Sequence, residues 1–162
     1  MVTTSEPPRF EISIGLIQHL DNALQCWQNL VGDQSDHDER ISSDALTITE
    51  QKQFLRNVIL DGRLILAMNS LEEIIGIATI SIDQNMLDNS SSIWNISDVW
   101  VHHSYRRHGI ATKLVEKCEK IAQSRGATEI RLHVYATNQP AAMMYGRLGY
   151  STIVRTMSRK LY

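Results

Sequence analysis

The segment YRRHGIATKL, residues 105–114, places two adjacent arginines and a histidine directly before Gly109, where an amphipathic helix is predicted to begin. The N-terminus of a helix carries unpaired N–H groups and about half a positive charge, so it favours an anion. Gly109 has no Cβ, which lets the backbone approach that anion closely. Arg106 and Arg107 can add charge-assisted hydrogen bonds to a phosphate. The segment therefore predicts a pyrophosphate site after a strand.

The same residues are equally compatible with a solvated turn between a strand and a helix that carries two surface arginines. Two common nucleotide-binding motifs, G-x-x-x-x-G-K-[ST] and G-x-G-x-x-G, are absent from the sequence. Their absence disfavours nucleotide hydrolysis and dinucleotide binding. The choice between an anion site and a plain turn therefore depends on the rest of the chain.

A second group of residues follows one predicted helix and one predicted strand later. The stretches ISDVWVHHSYRRHGIATKL and NQPAAMMYGRLGY resemble the GNAT superfamily of acetyl-coenzyme A-dependent N-acetyltransferases. The phosphate signature of that family, [R/Q]-x-x-G-x-[G/A], is met by Arg106, Gly109 and Ala111. Its second signature, N-x-x-A-x-x-x-Y-x-x-x-G-[F/Y], is filled at every position by Asn138, Ala141, Tyr145, Gly149 and Tyr150. The two signatures occur in the order of the family.

The resemblance implies an α+β fold in a single domain. Its sheet would be twisted, mixed and mostly antiparallel, with about six to seven strands and about four flanking helices. Two central strands are expected to splay apart in a V that holds the pantetheine arm of acetyl-coenzyme A, whose amides can satisfy free backbone groups. Residues 9–162 would form the acetyltransferase domain, after a disordered lead-in over residues 1–8.

The resemblance also implies which residues contact the cosubstrate. The strand before the helix is expected to carry a bulge within DVWV, residues 98–101, with a backbone N–H aimed at the thioester carbonyl. The backbones of Val99, Trp100 and Val101 would then contact pantetheine and the thioester. The remaining cosubstrate contacts are expected from Arg106, Arg107, His108, Gly109, Ile110, Ala111, Thr112, Asn138, Ala141 and Tyr145.

Tyr145 matches the usual general acid of the family, the phenol that protonates the departing coenzyme A thiolate. A phenol with a pKa of about 10 can give a proton to a thiolate that leaves beside it. An isolated tyrosine on a helix would by default be a half-buried core residue. The complete motif around Tyr145 favours the catalytic interpretation.

The sequence identifies the general base less clearly than it identifies the general acid. Many relatives have two acidic residues where this chain has Ser97 and Asp98, so the first acid is missing. Asp98 is the remaining candidate base, and a structural carboxylate bonded to neighbouring groups is an equally good interpretation of it. His133, acting through water, is a third possibility. Direct transfer between two bound substrates needs no cysteine nucleophile.

The 162 residues carry a net charge of −2, which disfavours a general nucleic-acid binder or a polybasic membrane binder. No apolar run reaches the ~20 residues needed to span a bilayer, and the N-terminal residues lack the pattern of a signal peptide. We therefore expect a soluble, cytoplasmic protein. Cys26 and Cys118 fall in apolar stripes of predicted helices and are expected to be buried. The six histidines lack the spacing of a metal site, so no metal is expected.

Hydrophobic periodicity predicts the remaining elements. Strands are expected over residues 10–14, 63–68, 73–82, 92–101 and 128–135, with one or two closing strands after Gly149. Helices are expected over residues 18–31, from Thr49 to Gly62, from Ile110 to Arg125 and from Gln139 to Leu148. Residues 32–44 and 83–92 are expected to form a polar loop and a turn.

The function that these observations favour is direct transfer of an acetyl group from acetyl-coenzyme A to a primary amine, either a small cationic molecule or a peptide amine. The acidic residues of segment 33–39 could attract such an amine, although a solvated loop is the more usual explanation of such a segment. Homodimers are common in the family that the chain resembles. A rival hypothesis is a non-catalytic module that binds or senses acyl-coenzyme A, which the missing acid at Ser97 mildly favours.

Overall fold

The computed structural model describes residues 7–42, 45–83 and 92–161. Its five strands are β1 (Phe10–Ile14), β2 (Leu64–Asn69), β3 (Ile74–Ile82), β4 (Ile93–Val101) and β5 (Glu129–Leu132). Its four α-helices are α1 (Leu20–Ser35), α2 (Ile48–Leu60), α3 (Ile110–Ser124) and α4 (Gln139–Arg147). Within these described ranges, no helix combines the length and the apolar character that crossing a membrane requires.

The strands form one mixed sheet in the order β1-β2-β3-β4-β5. The first three pairings are antiparallel and the pairing of β4 with β5 is parallel. The mixed, mostly antiparallel sheet with four helices is confirmed, whereas the described residues form five strands and not the expected six to seven. The predicted closing strands are wrong: residues 151–161 form no strand, and their apolar side chains, such as Met157, are exposed. A strand-like sequence becomes a strand only when its backbone pairs and its side chains pack.

Several predicted boundaries also move. Helix α1 continues to Ser35, so the predicted polar loop begins four residues later than expected. Helix α2 begins after Thr47 and not at Thr49, because the Thr47 hydroxyl accepts a hydrogen bond from the Glu50 N–H and Glu50 bonds back to Thr47. The predicted turn over residues 83–92 and the predicted lead-in fall largely outside the described residues.

The central gap of the sheet lies between β4 and β5. Their pairing begins at Ile93 with Glu129 and ends at Ile96 with Leu132. Beyond that point β4 continues to Val101, while the chain leaves β5 for the start of α4. In the described part of the chain, the second half of β4 therefore has β3 on one side and an open edge on the other, as the splayed arrangement predicts.

The antiparallel register of β3 and β4 contains one extra residue in β4. Thr79 pairs with Asp98, but the next residue of β3, Ile80, pairs with Ile96. Ser97 is therefore a β-bulge. It lies immediately before DVWV, one residue earlier than the resemblance suggests.

This bulge reverses which face of the sheet each later side chain of β4 occupies, because side chains of a strand alternate between two faces. Before the bulge, Trp94 and Ile96 are buried with α3 and α4. After it, Trp100 is buried on the opposite face with α1 and α2. If β4 alternated regularly through Ser97 with no bulge, Asp98 and Trp100 would share the face of Trp94. The bulge thus divides β4 between two hydrophobic layers.

Helix α3 packs against the sheet and makes close contact with β3. Leu114 and Cys118 of α3 are fully buried in this layer. A Cβ at Gly76 would lie 3.0 Å from the Trp100 carbonyl oxygen and 3.2 Å from Leu114 Cδ1, so only glycine leaves both in place. Gly76 therefore helps to set the position of α3, and with it the position of the N-terminus of α3.

We predict that Gly76→Ala lowers the free energy of unfolding by about 1–3 kcal/mol, because the added methyl overpacks this contact. The matched control is Gly32→Ala in α1, where a Cβ would meet nothing within 4 Å. That change should raise stability by about 0.5–1 kcal/mol, since alanine is the better helix former. Urea denaturation followed by circular dichroism measures both. Equal effects at the two positions would contradict the packing role of Gly76.

Candidate active site

The N-terminus of α3 presents an uncapped set of backbone N–H groups. Its N-cap is Gly109, in the left-handed conformation with φ = 79°, and no side chain caps the helix. A Cβ at Gly109 would meet no described atom within 4 Å, so the space beside this residue is open. Arg107 is also left-handed, with φ = 69°, which is uncommon for a residue with a Cβ. We call residues 107–112 the cradle; its first two side chains, Arg107 and His108, are exposed.

Arg106 does not point into the cradle in this structure. Its Nε donates to the Val101 carbonyl oxygen at 2.9 Å, and its Nη2 donates to Asp33 Oδ2 at 2.6 Å. The same carboxylate oxygen accepts a hydrogen bond from Trp100 Nε1 at 3.0 Å. Asp33 therefore joins the end of α1 to β4 and to the turn before the cradle. This link is not predictable from local sequence pattern, because Asp33 lies 73 residues from Arg106.

A polar cavity of about 530 Å³ surrounds this carboxylate, lined by Gln28, Asn29, Gly32, Asp33, Trp100, His102, His103 and Arg106. The rings of His102 and His103 lie 4.3 Å apart, and Trp100 meets His102 edge-on at 6.0 Å. The acidic side chains of segment 33–39, which could have attracted an amine, are largely paired with basic side chains. Asp33 pairs with Arg106, Asp38 with Arg40, and Glu39 with Lys160.

Tyr145 is buried on α4 in the layer that contains α3, with 9% of its surface exposed. Its ring meets that of Tyr150 edge-on, with centroids 5.8 Å apart. Burial, with a smaller contribution from Cys118, raises the pKa of Tyr145 to about 12. The phenol is therefore protonated throughout the usual assay range, as a general acid requires. Asn138 caps α4 by accepting a hydrogen bond from the Ala141 N–H at 3.3 Å, as predicted.

The bulge places Ser97 and Asp98 side by side on the α1/α2 face. Ser97 Oγ lies 3.0 Å from Ser81 Oγ. Thr79 Oγ1 donates a hydrogen bond to Asp98 Oδ2. Burial raises the pKa of the Asp98 carboxyl above its ordinary value, and the bond from Thr79 partly offsets that rise. A carboxylate with a raised pKa is a better proton acceptor near neutral pH.

Asp98 opens onto a second cavity, of about 330 Å³, which we call the aromatic pocket. Trp27 and Phe54 form one wall, with ring centroids 5.8 Å apart. The full lining is Trp27, Phe54, Val58, Arg63, Thr79, Ile80, Ser81, Ser97 and Asp98. Sequence reasoning missed this pocket. Its residues come from two helices, from the neighbouring strands β3 and β4, and from Arg63 directly before β2. The sequence shows only the apolar spacing on α1 and α2.

The structure thus separates the residues that the sequence grouped. Asp98 faces the α1/α2 layer, whereas Tyr145 is buried in the α3/α4 layer on the other side of the sheet. Val99 and Val101 also face the α3/α4 layer, near the open edge of β4. His133 follows β5 and is exposed. The binding of a cosubstrate is still a prediction for the backbones of Val99, Trp100 and Val101 and for the cradle.

Comparison with known proteins agrees with this architecture. Streptothricin acetyltransferase of Escherichia coli is 34% identical over 76 residues, which cover 43% of this chain and 44% of that enzyme. The crystal structure of a tetramutant of the BH1408 protein of Bacillus halodurans has a TM-score of 0.79 to this chain at 18% identity. The match covers 93% of this chain and 99% of the BH1408 chain. Aminoglycoside acetyltransferase AAC(6')-Iy, solved with a bisubstrate analogue of coenzyme A and acetylneamine, has a TM-score of 0.74 at 17% identity over 95% of this chain and 99% of that one.

The curated relatives match over less than half of their own length. The solved structures, at these identities, support the fold alone. The model of the Acetyltransferase (GNAT) family, by contrast, matches residues 24–150, from the second turn of α1 to the residue after Gly149. That range includes the bulge, the cradle, Asp98 and Tyr145. On this match, together with the splayed sheet and the glycine-opened helix that it spans, the chain belongs to the acetyltransferase (GNAT) family.

Proposed function

We propose that this protein is an N-acetyltransferase that moves the acetyl group of acetyl-coenzyme A directly to a primary amine, with both substrates bound together. One observation carries the proposal. The uncapped N-terminus of α3, the open edge of β4 and the carboxylate of Asp98 follow one another along β4. An anion bound at the helix, an amide-rich arm along the edge and an amine at the carboxylate would lie in that order. The acetyltransferase domain would comprise residues 9–162.

The pyrophosphate of the cosubstrate would be bound by the main-chain N–H groups of the cradle, from Arg107 and His108 through Gly109 to Thr112. The helix dipole and the uncapped N–H groups of Ile110 and Ala111 favour that charge. The pantetheine arm would pair with the open edge of β4 at Val99, Trp100 and Val101. Arg106 would support the cradle from outside through Asp33, and Asn138 and Ala141 would contact the arm from α4.

The proposed chemistry assigns one proton transfer to each face of the sheet. Asp98 accepts a proton from the ammonium of the acceptor, so that the amine nitrogen can attack the thioester carbon. A C–N bond forms and the C–S bond breaks. A backbone N–H beside the bulge stabilises the negative charge on the carbonyl oxygen during the attack. Tyr145 gives its proton to the departing thiolate and is later reprotonated by solvent.

The comparisons support acyl transfer to an amine as the reaction class. Two similar proteins are named streptothricin acetyltransferase and aminoglycoside N-acetyltransferase AAC(6')-Iy. The second was solved with a molecule that joins coenzyme A to an acetylated amine. By extension, the acceptor of this protein would be a small amine or the amine of a peptide.

We predict that Tyr145→Phe lowers kcat by about 10²–10⁴-fold, because it removes the general acid. The affinity for coenzyme A should stay the same, since the ring remains in place. Tyr150→Phe is the matched control: its hydroxyl donates to Glu119 at 2.8 Å and has no assigned chemical role. Thiol release and calorimetric binding of coenzyme A are the measurements. Tight cosubstrate binding without turnover in the unmodified protein, across a broad amine panel, would instead favour the sensing module.

We predict that kcat/KM falls as the pH decreases through the raised pKa of Asp98, because the protonated carboxyl cannot accept the proton of the amine. Asp98→Asn should remove most of the activity together with this acid limb. Thr79→Val should move the limb to higher pH, since the hydrogen bond that lowers the pKa is lost. Asp36→Asn, at an exposed position, is the control. An acid limb that Thr79→Val leaves in place would argue against Asp98 as the base.

We predict that Gly109→Ala raises the Kd for coenzyme A at least about tenfold, because a Cβ in the cradle keeps the phosphate from the N–H groups. The left-handed conformation adds strain of about 1–2 kcal/mol in either state. Gly126→Ala is the control for that strain: Gly126 has φ = 87°, follows the other end of α3, and a Cβ there meets nothing within 4 Å. Similar calorimetric Kd values for the two variants would contradict the cradle.

A further inference from the structure

The aromatic pocket contains two opposite charges. Asp98 lines it from β4, and Arg63, directly before β2, lines it from the other side of β3. These are the charged residues among the described residues of its lining. Neighbouring strands lie about 4.8 Å apart, so the two backbones are separated by two strand spacings, roughly 10 Å. Arg63 Nη1 donates to the Ile80 carbonyl oxygen of β3, and the Asp98 carboxylate accepts from Thr79 of the same strand, so both side chains reach the strand that lies between them.

Arg63 is held in place and still has hydrogen-bonding capacity. Its side chain is 23% exposed. Its Nε and Nη2 donate to Asp61 Oδ2 at 3.2 and 2.7 Å, and its Nη1 donates to the Ile80 carbonyl oxygen at 3.2 Å. A guanidinium has five N–H donors, so two remain for another acceptor. Such a fixed guanidinium is suited to a carboxylate or a phosphate.

Asp98 has matching capacity for a cation. Thr79 occupies its Oδ2, and no described residue donates to its Oδ1. The remaining lining groups near Asp98 are the hydroxyls of Ser81 and Ser97, which can bond an ammonium without adding charge. The rings of Trp27 and Phe54 cover the side of the pocket that belongs to α1 and α2. The ammonium of a ligand would find a hydrogen-bond acceptor at Asp98, and the apolar part of the same ligand would pack against these rings.

We propose that the acceptor is a compact zwitterion, which carries the reacting amine and an anionic group a few bonds away, as in an amino acid. This inference rests on the proposed function. The amine is bound by Asp98, the anionic group by Arg63, and the carbon chain packs on Trp27 and Phe54. A polyamine is disfavoured, because its second cation would be placed near the Arg63 guanidinium. Arg63 is thus the specificity-determining residue of the pocket.

The test compares acceptors that differ only in the anionic group. Glycine, β-alanine, 4-aminobutyrate and 5-aminovalerate are each assayed beside the corresponding amide, with kcat/KM referred to the free-amine concentration. Phosphoethanolamine supplies a phosphate in place of the carboxylate, phenethylamine supplies an aromatic amine without an anion, and spermidine supplies a second cation. We expect the best acid to exceed its amide at least about tenfold, the difference arising in KM. The carbon-chain length of the acid with the highest kcat/KM reports the distance between the groups bound by Asp98 and Arg63.

Arg63→Gln should reduce the ratio of acid to amide to about one, with the change arising in KM for the acid, a result that loss of structure alone would not produce. Arg63→Lys should retain part of the preference, because it keeps the charge and loses the guanidinium geometry. Arg56→Gln, an exposed arginine on α2, is the matched control for net charge and should keep the full ratio. Thermal unfolding of each variant shows whether the pocket has kept its structure.

The possible results separate this inference from the function on which it rests. Turnover of amides, phenethylamine or spermidine at rates equal to or above those of the acids overturns the zwitterion and leaves the acetyltransferase in place. A preference for acids that Arg63→Gln does not change also overturns it. A preference confined to phosphoethanolamine retains the anionic group and assigns it as a phosphate. No thiol release with any acceptor overturns both proposals.

Discussion

The site depends on a single extra residue in β4. Because Ser97 has no counterpart in β3, the two halves of the strand bury their side chains in opposite layers. Trp94 and Ile96 contribute to the core under α3, and the reversed half turns Asp98 toward α1 and α2. A strand of regular alternation would direct Asp98 into the apolar layer around Tyr145, where an unpaired carboxylate is strongly unfavourable. The bulge is therefore what allows Asp98 and Tyr145 to lie on opposite sides of one sheet.

The position of the cradle follows from packing behind it. Leu114 and Cys118 are completely buried between α3 and the sheet, and Gly76 allows that close approach. The helix axis is thereby fixed, and the uncapped N–H groups at its start are held at the end of β4. In front of them, Gly109 leaves open space. A backbone anion site needs tight packing behind the N–H donors, because the donors must not move when the anion binds. It also needs open space in front of them for the anion.

Asp33 connects the two sides of the site. One carboxylate oxygen accepts from Trp100 of β4 and from Arg106 of the turn before the cradle, so the end of α1 is tied to both. The ion pair alone is half exposed and contributes little stability. Its importance is geometric, since α1 also supplies Trp27 to the aromatic pocket. Asp33 thus anchors both the helix that covers the aromatic pocket and the turn that precedes the cradle.

The sequence by itself determined the elements and the residues whose roles depend on near neighbours: the amphipathic face of α3, glycine at its start, Asn138 as the cap of α4, and the burial of Cys26 and Cys118. These follow from periodicity and capping, which act within a few residues. Only the tertiary structure decided the bulge at Ser97, the engagement of Arg106 by Asp33, the aromatic pocket with Arg63, and the absence of strands in residues 151–161. Each of these depends on which distant segments lie side by side, and strand register and long-range contacts are set by the packing of the whole chain and not by local pattern.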